Sequence, residues 1–167
     1  MRNLSIIILL LLLSCQKSNE PESEGQIKVY SWKEYDIAAS KKNGQEIIVV
    51  DTICPFELKR AESDIKNGKL IYTCYSPITD EVVKELDILL IPFGLRAKSG
   101  LHSCIVPPKG FKEYCYEQRM QKEIEKKYSQ KWLDSLEKIA LKNYVLKNPD
   151  QPYMENGIDL RTIYLKK

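Results

Sequence analysis

The sequence has little of what common catalytic and metal-binding sites need. It contains a single histidine, His102, among 167 residues, which excludes a site built from several imidazoles. The HExxH, P-loop, GxGxxG and GxSxG motifs are missing, and no two cysteines have CxxC spacing. Because these motifs and spacings are absent, we predict no catalytic residue, no cofactor and no metal site.

Glycine and proline are also scarce, with 7 and 8 residues, which excludes a fibrous chain. The 43% of hydrophobic residues excludes a disordered chain. The net charge of +3 is too small to indicate a nucleic-acid partner, and we expect none. The length suits one domain with its own hydrophobic core.

The chain begins with a short hydrophobic segment. Residues 1–14 read MRNLSIIILLLLLS, in which Arg2 precedes an apolar run interrupted only by Ser5. The run is shorter than the roughly 20 residues that a helix needs to cross a bilayer, and it is typical of a signal peptide. The Leu-Leu-Ser-Cys that ends at Cys15 resembles the lipobox of bacterial lipoproteins. An ordinary secretory signal followed by a chance cysteine is the alternative.

The resemblance implies that the Cys15 thiol receives a diacylglycerol and that the chain is cut before Cys15. Acyl chains such as palmitate would then anchor the protein in the lipid bilayer of the cell envelope. By the same resemblance, Gln16 favours the outer membrane over the inner one. Residues 15–26 are largely polar and predict a flexible tether, which leaves residues 27–167 as a single domain.

The other four cysteines are Cys54, Cys74, Cys104 and Cys115. Export places them in an oxidising compartment, and their even number predicts two disulfides, for which three pairings are open. Cys104 and Cys115 flank a Pro-Pro-Lys-Gly turn, and Cys54 and Cys74 lie near the ends of two predicted strands. The pattern therefore favours Cys54–Cys74 with Cys104–Cys115. A metal site is the competing interpretation, although only one histidine could join the thiols.

The apolar pattern in the first two thirds of the chain alternates between strands and helices. It predicts strands at 27–32, 46–53, 69–75 and 88–91, helices at 56–66 and 79–86, and a long loop at 93–110. The strand–helix–strand–helix–strand order from residue 46 to 91 indicates partly parallel pairing.

The clearest helical region runs from Phe111 to Leu146, where no proline or glycine occurs. Its apolar stripes fall out of register around Ser129, which predicts two helices, about 110–128 and 130–146, with Ser129 as a cap. One bent helix is the alternative. Residues 158–165 predict a final strand. The fold class is α+β, with a mixed, partly parallel sheet, a C-terminal helical pair and that final strand.

Few residues stand out as candidates for function. The binding candidates are His102, the single histidine, in the long loop, and Tyr153, an amphipathic ring between prolines in a later loop. The acidic residues near the second strand and the following helix are better explained as solvated charges on a helix face. They are Asp51, Glu57, Glu62 and Asp64.

Three functions are consistent with this sequence. The first is a membrane-anchored, non-enzymatic binding module, such as an assembly factor, an inhibitor or an immunity-type protein, with an envelope protein as partner. The second is an envelope enzyme whose site is assembled from scattered residues such as His102, Asp51 and Glu57. The third is a small-ligand-binding lipoprotein that serves a transporter. The missing motifs favour the first.

Overall fold

The structure, a computed structural model, describes residues 25–41, 44–75 and 78–165. The predicted signal peptide, Cys15 and most of the predicted tether lie outside the described residues. Within the described ranges, every helix is too short or too polar to cross a membrane.

The described chain divides into two compact units after Val50. The elements of the first unit are β1 (Gln26–Val29), α1 (Trp32–Ser40) and β2 (Glu46–Val49). The two strands pair in parallel, and Ser31 caps the start of α1, because its Oγ accepts a hydrogen bond from the Glu34 amide at 3.3 Å. The single domain predicted for residues 27–167 stays a prediction.

The second unit begins at Asp51 and holds the longer elements. In chain order they are α2 (Ile53–Lys66), β3 (Leu70–Tyr75), α3 (Asp80–Leu90), β4 (Leu95–Gly100), α4 (Cys115–Glu125), α5 (Gln130–Lys147), β5 (Met154–Glu155), β6 (Ile158–Asp159) and α6 (Arg161–Tyr164). β3, α3 and β4 form a parallel β-α-β unit, whereas β5 and β6 pair antiparallel.

Helices cover both faces of the β3–β4 sheet, because successive strand residues point to opposite sides. On one side lie α3 and α5, where the Tyr72 hydroxyl donates a hydrogen bond to Glu137 Oε1 at 2.8 Å. On the other side lie α2 and α4, where Lys98 of β4 donates to Glu117 at 2.8 Å. The core is therefore built on both faces of a sheet that is only two strands wide.

The fold is α+β, as the sequence predicts. The described strands form three two-stranded sheets, two of them parallel and one antiparallel. The C-terminal helical pair is confirmed as α4 and α5, and Ser129 caps α5 by accepting a hydrogen bond from the Trp132 amide at 3.2 Å. The final strand predicted at 158–165 is confirmed only at Ile158–Asp159 and is wrong beyond it, because Asp159 accepts the Arg161 amide at 3.0 Å and the helix α6 follows.

The strand predicted at residues 88–91 is wrong. Its first three residues complete α3, and Ile91 begins a short 3-10 helix. The buried stripe of α3 consists of Val82, Val83, Leu86 and Leu90, and Ile88 is 59% exposed. A short apolar run fits a strand and a buried helix equally well, and here the helical spacing of the preceding residues decides. The strand instead follows at Leu95–Gly100, inside the predicted loop.

The favoured disulfide pairing is also wrong, because the structure joins Cys54 to Cys115 with a Cα–Cα distance of 5.4 Å. Cys74 is buried on the α3 and α5 side of β3, whereas Cys54 begins α2 on the opposite side of the sheet. Those two thiols therefore cannot meet. Cys115 opens α4, which packs against α2, so the first turns of two neighbouring helices are linked.

Candidate functional site

The outer edge of β3 is unpaired. Within the described residues, no strand pairs with β3 on the side away from β4, and no side chain or loop bonds to its backbone groups there. The outer edge of β4 differs, because its Ala97 amide donates to Asp87 Oδ1 at 2.7 Å and Arg96 holds the same carboxylate. One outward amide of β4 thus has a side-chain partner, whereas no outward backbone group of β3 has one within the described residues.

A cavity of about 440 Å³ lies along this open edge. Its lining includes Tyr72 and Thr73, which are consecutive and point to opposite faces of the sheet. A cavity on one face would contact only alternate residues, so this one lies at the edge of the strand. No residue of β4 lines it, which places it on the outer side. The opposite wall consists of Glu117, Gln118, Gln121, Lys122 and Glu125 of α4.

The rings of Tyr75, His102 and Tyr114 pack together in the lining of this cavity. Tyr75 stacks on His102 with 3.9 Å between ring centroids, and Tyr114 meets both rings edge-on at 5.7 and 5.3 Å. Burial raises the pKa of Tyr75 to about 12. The cluster offers aromatic surface together with hydroxyl and imidazole groups, a combination that is typical of binding surfaces.

Local backbone geometry positions these rings. Gly100 lies beside Tyr75 in the parallel ladder, and a Cβ there would come within 2.4 Å of Thr73 Cγ2 and 2.8 Å of Tyr75 Cε1. Only glycine leaves room for both side chains. Tyr114 has a φ of 58°, a left-handed conformation that is unfavourable for a tyrosine, and its hydroxyl accepts a hydrogen bond from the Ser103 amide.

A second cavity of about 520 Å³ shares Tyr75 with the first and continues between β3, α5 and the β5–β6 hairpin. Its lining includes Tyr153, whose ring meets Tyr144 edge-on at 5.8 Å. We call the two cavities together the β3 groove. At the α4–α5 junction, the Gln121 amide donates to Gln130 Oε1 at 3.1 Å and joins the two helical walls.

The β3 groove is acidic. Five carboxylates and two lysines line it: Glu117, Glu125, Asp134, Glu137, Glu155, Lys122 and Lys138. Burial raises the pKa of Glu137 above its usual value, and the Asp134 charge adds to this, although the Tyr72 hydroxyl opposes it. Burial also acts on Glu117, but its pair with Lys98 keeps the pKa of this carboxyl low. The excess of negative charge therefore favours a positively charged ligand.

Both predicted binding candidates lie in the β3 groove, His102 in the first cavity and Tyr153 in the second. Their role in binding stays a prediction. The residues that surround them were missed by sequence reasoning, above all Tyr75, Tyr114 and the α4 face. The sequence of β3, Leu-Ile-Tyr-Thr-Cys-Tyr, holds none of the charges or prolines that mark many edge strands, so it gave no sign of an open edge.

The acidic residues near α2 make structural contacts outside the groove. Asp51 accepts the amides of Ile53 and Cys54 at 3.0 Å with one oxygen and the Lys112 amide at 2.9 Å with the other. It thereby ties the first turn of α2 to the segment before α4.

The remaining carboxylates of α2 pair along or across helices. Glu57 contacts Arg60 at 2.7 Å, and Glu62 lies 3.9 Å from Arg119. Asp64 accepts a hydrogen bond from the Tyr116 hydroxyl at 2.7 Å, which lowers the pKa of this carboxyl.

Two cysteines of the described residues are free, and they differ in environment. Cys74 is buried, and this burial raises the pKa of its thiol to about 12. Cys104 is exposed in the loop after β4. Within the described residues, no group of three or more acidic, histidine or cysteine side chains is arranged to hold a metal ion.

Comparisons of the chain with models of protein families, with curated proteins and with solved structures return no match.

Proposed function

We propose that this chain is a lipid-anchored protein of the bacterial cell envelope and that its second unit is a non-enzymatic binding module. The partner would occupy the β3 groove. The lipobox-like Leu-Leu-Ser-Cys at Cys15 supports the anchor. The open outer edge of β3, set in a groove with aromatic and amide side chains, is the observation that carries the binding role.

The open edge is unusual for a protein on its own. An unpaired strand presents a row of amide and carbonyl groups that can pair with another chain, and proteins commonly cover or charge such edges. Asp87 caps one outward amide of β4 in this way, but β3 has no equivalent among the described residues. An edge that is left open and flanked by a groove fits a site that is covered when a partner binds.

The anchor is tested by Cys15→Ser. Cells that express the full chain would be labelled with a palmitate analogue and separated into membrane and soluble fractions. We expect label and membrane association for the unaltered chain and the loss of both for Cys15→Ser. A Cys104→Ser variant is the matched control and should keep both. Label that persists in Cys15→Ser would contradict the lipid anchor.

The binding role is tested by site-specific photo-crosslinking in intact cells. A photoreactive residue would replace Gln118, which is exposed on the groove wall, or Lys59, which is exposed on α2 outside the groove. We expect a discrete adduct from position 118 that is not formed from position 59. The same adducts from both positions, or none from position 118, would contradict a partner in the groove.

A small-ligand role is the second candidate, because each cavity has the size of many ligand sites, at about 440 and 520 Å³. Thermal unfolding against a panel of metabolites separates the two. A ligand present at about a hundredfold excess over its Kd would add about 2.7 kcal/mol to stability, whereas a protein-binding groove should give no such hit.

A further inference from the structure

We infer that the occupant of the β3 groove is an extended segment of a partner protein, rich in lysine or arginine, which adds to the outer edge of β3 as a third strand. The inference rests on the proposed binding role and names the chemistry of its partner. Three features of the groove carry it: its position at a strand edge, the side chains on its walls and its charge.

The position of the groove favours backbone pairing. Tyr72, Thr73 and Tyr75 bring the outer edge of β3 into the first cavity, and the unpaired amides and carbonyls of this edge face the space that an added strand would fill. β3 has six residues, the length of an ordinary strand. Main-chain hydrogen bonds along such an edge provide affinity that does not depend on the partner's sequence.

The walls favour alternating contacts on both sides of the added strand. α4 supplies the side-chain amides of Gln118 and Gln121 on one side of the sheet, and α5 supplies Lys138 and Leu141 on the other. Successive side chains of an extended segment point to opposite sides, so each wall would contact alternate residues of the partner. A helix is too wide to bring its backbone to the strand edge in the same way.

The charge of the groove favours a basic partner over a second copy of this chain. Five carboxylates and two lysines line the two cavities, and one of the carboxylates, Glu117, is paired with Lys98, so an excess of negative charge remains. Two copies that paired through β3 would bring two acidic grooves together, and like charges that meet at an interface oppose association. Lysine or arginine side chains of an added strand would instead meet Glu125, Asp134 or Glu155.

The first test measures binding of two synthetic peptides to the purified full-length protein by calorimetry. One peptide alternates lysine with valine over about the length of β3, and the other has glutamate in place of lysine. We expect the lysine peptide to bind at least about tenfold more tightly, with an affinity that falls as ionic strength rises. Equal affinities, or no binding of the lysine peptide, would overturn the inference.

The second test asks whether the peptide binds as a strand. Two forms of the lysine peptide carry backbone N-methyl groups, on the odd residues in one and on the even residues in the other. The amides of an edge strand point alternately toward and away from their neighbour, so one form should lose binding and the other should keep it. An equal effect of both methylation patterns would overturn strand addition.

The third test locates the charges. Lys122→Glu makes the groove more acidic and should strengthen binding about threefold, while Glu125→Lys should weaken it by about the same factor. Lys59→Glu, on the exposed face of α2, changes the net charge of the protein equally and should leave the affinity unchanged. If Lys122→Glu behaves like Lys59→Glu, the peptide does not bind in this groove.

Failure of the basic-strand inference can be distinguished from failure of the proposed binding role. A crosslinked partner at position 118 together with no binding of the lysine peptide would retain the binding role and reject its basic, strand-like occupant. A second copy would be identified if sedimentation showed dimers that form with rising concentration and that Thr73→Pro abolishes. This variant removes an amide of β3, and its circular dichroism should stay unchanged. Such dimers would overturn the inference.

Discussion

Glu137 belongs both to the acidic lining of the β3 groove and to the packing around the buried Tyr72. Its carboxylate accepts the Tyr72 hydroxyl at 2.8 Å at the wall of the second cavity. Burial raises its pKa, so the folded protein holds this proton more tightly than the unfolded chain does. The stability that comes from this group is complete below its unfolded-state pKa and is lost as pH rises through the folded-state value.

Glu137→Gln should therefore become more stable relative to the unaltered protein as pH rises from acidic to neutral. The glutamine keeps an oxygen that accepts the Tyr72 hydroxyl and removes the buried charge. Urea unfolding over this pH range measures the difference. A free-energy difference between the two proteins that is independent of pH would show that Glu137 is not strained by burial.

The two free cysteines should differ strongly in reactivity. Thiolate is the reactive form, and burial both raises the pKa of Cys74 to about 12 and blocks access to it, whereas Cys104 is exposed. We expect maleimide to label Cys104 at least about a hundredfold faster than Cys74 in the native protein, with equal rates after denaturation. Peptide mapping that finds Cys104 bonded to Cys115 would contradict the structure.

Among the elements, the α4–α5 hairpin defines the groove, because its two helices lie on opposite faces of the β3–β4 sheet. α4 is fixed to α2 by the Cys54–Cys115 disulfide and by the Tyr116–Asp64 hydrogen bond of 2.7 Å. α5 packs against α3 and is capped at Ser129. The outer edge of β3 thus lies between two helices that are each held against another helix.

Loss of the disulfide should destabilise the fold by about 4 kcal/mol in the chain-entropy estimate for a loop of this length, since the bonded cysteines are 61 residues apart. The comparison is between the unaltered protein and the Cys54→Ser, Cys115→Ser double variant in urea unfolding. Cys104→Ser is the control and should not change stability. A double variant as stable as the control would show that the bond contributes nothing to folding.

Gly100→Ala should displace side chains that line the β3 groove. The added Cβ would lie 2.4 Å from Thr73 Cγ2, so Thr73 or Tyr75 must move. We expect a loss of about 1–3 kcal/mol in stability, as for other overpacked sites, and weaker stacking of Tyr75 on His102. Unfolding gives the first value, and NMR ring-current shifts of His102 report the second. Unchanged ring-current shifts would contradict the proposed position of Tyr75.

The sequence predicts best those elements in which an apolar pattern repeats over many residues or a residue that ends helices marks the boundary. The helices at 56–66, 110–128 and 130–146 were found because apolar residues recur at helical spacing and a glycine, proline or serine marks their ends. The segment at 88–91 was misassigned because four consecutive apolar residues carry no period of their own. Strand β4 gave only a weak signal, because Leu95 and Ala97 alternate with Arg96 and Lys98 over four residues.

At the scale of the whole molecule, the groove could not be predicted because its walls come from distant segments. Tyr75, His102, Tyr114 and Tyr153 meet only through tertiary packing, and nothing in their local sequence shows that β3 has an unpaired edge. His102 and Tyr153 were selected as loop aromatics, which indicates exposure but not proximity. The anchor at Cys15 is a property of local sequence alone, and it therefore enters as a prediction from the lipobox resemblance.

Amide hydrogen exchange of the full-length protein, with and without the lysine peptide, tests most directly whether the edge of β3 receives a strand. Binding should slow exchange at the amides of Thr73 and Tyr75, because these outward amides of β3 gain hydrogen-bonded partners, and should leave the capped Ala97 amide of β4 unchanged. Protection confined to other segments, with exchange at β3 unaltered in the bound state, would show that the partner does not pair with this edge.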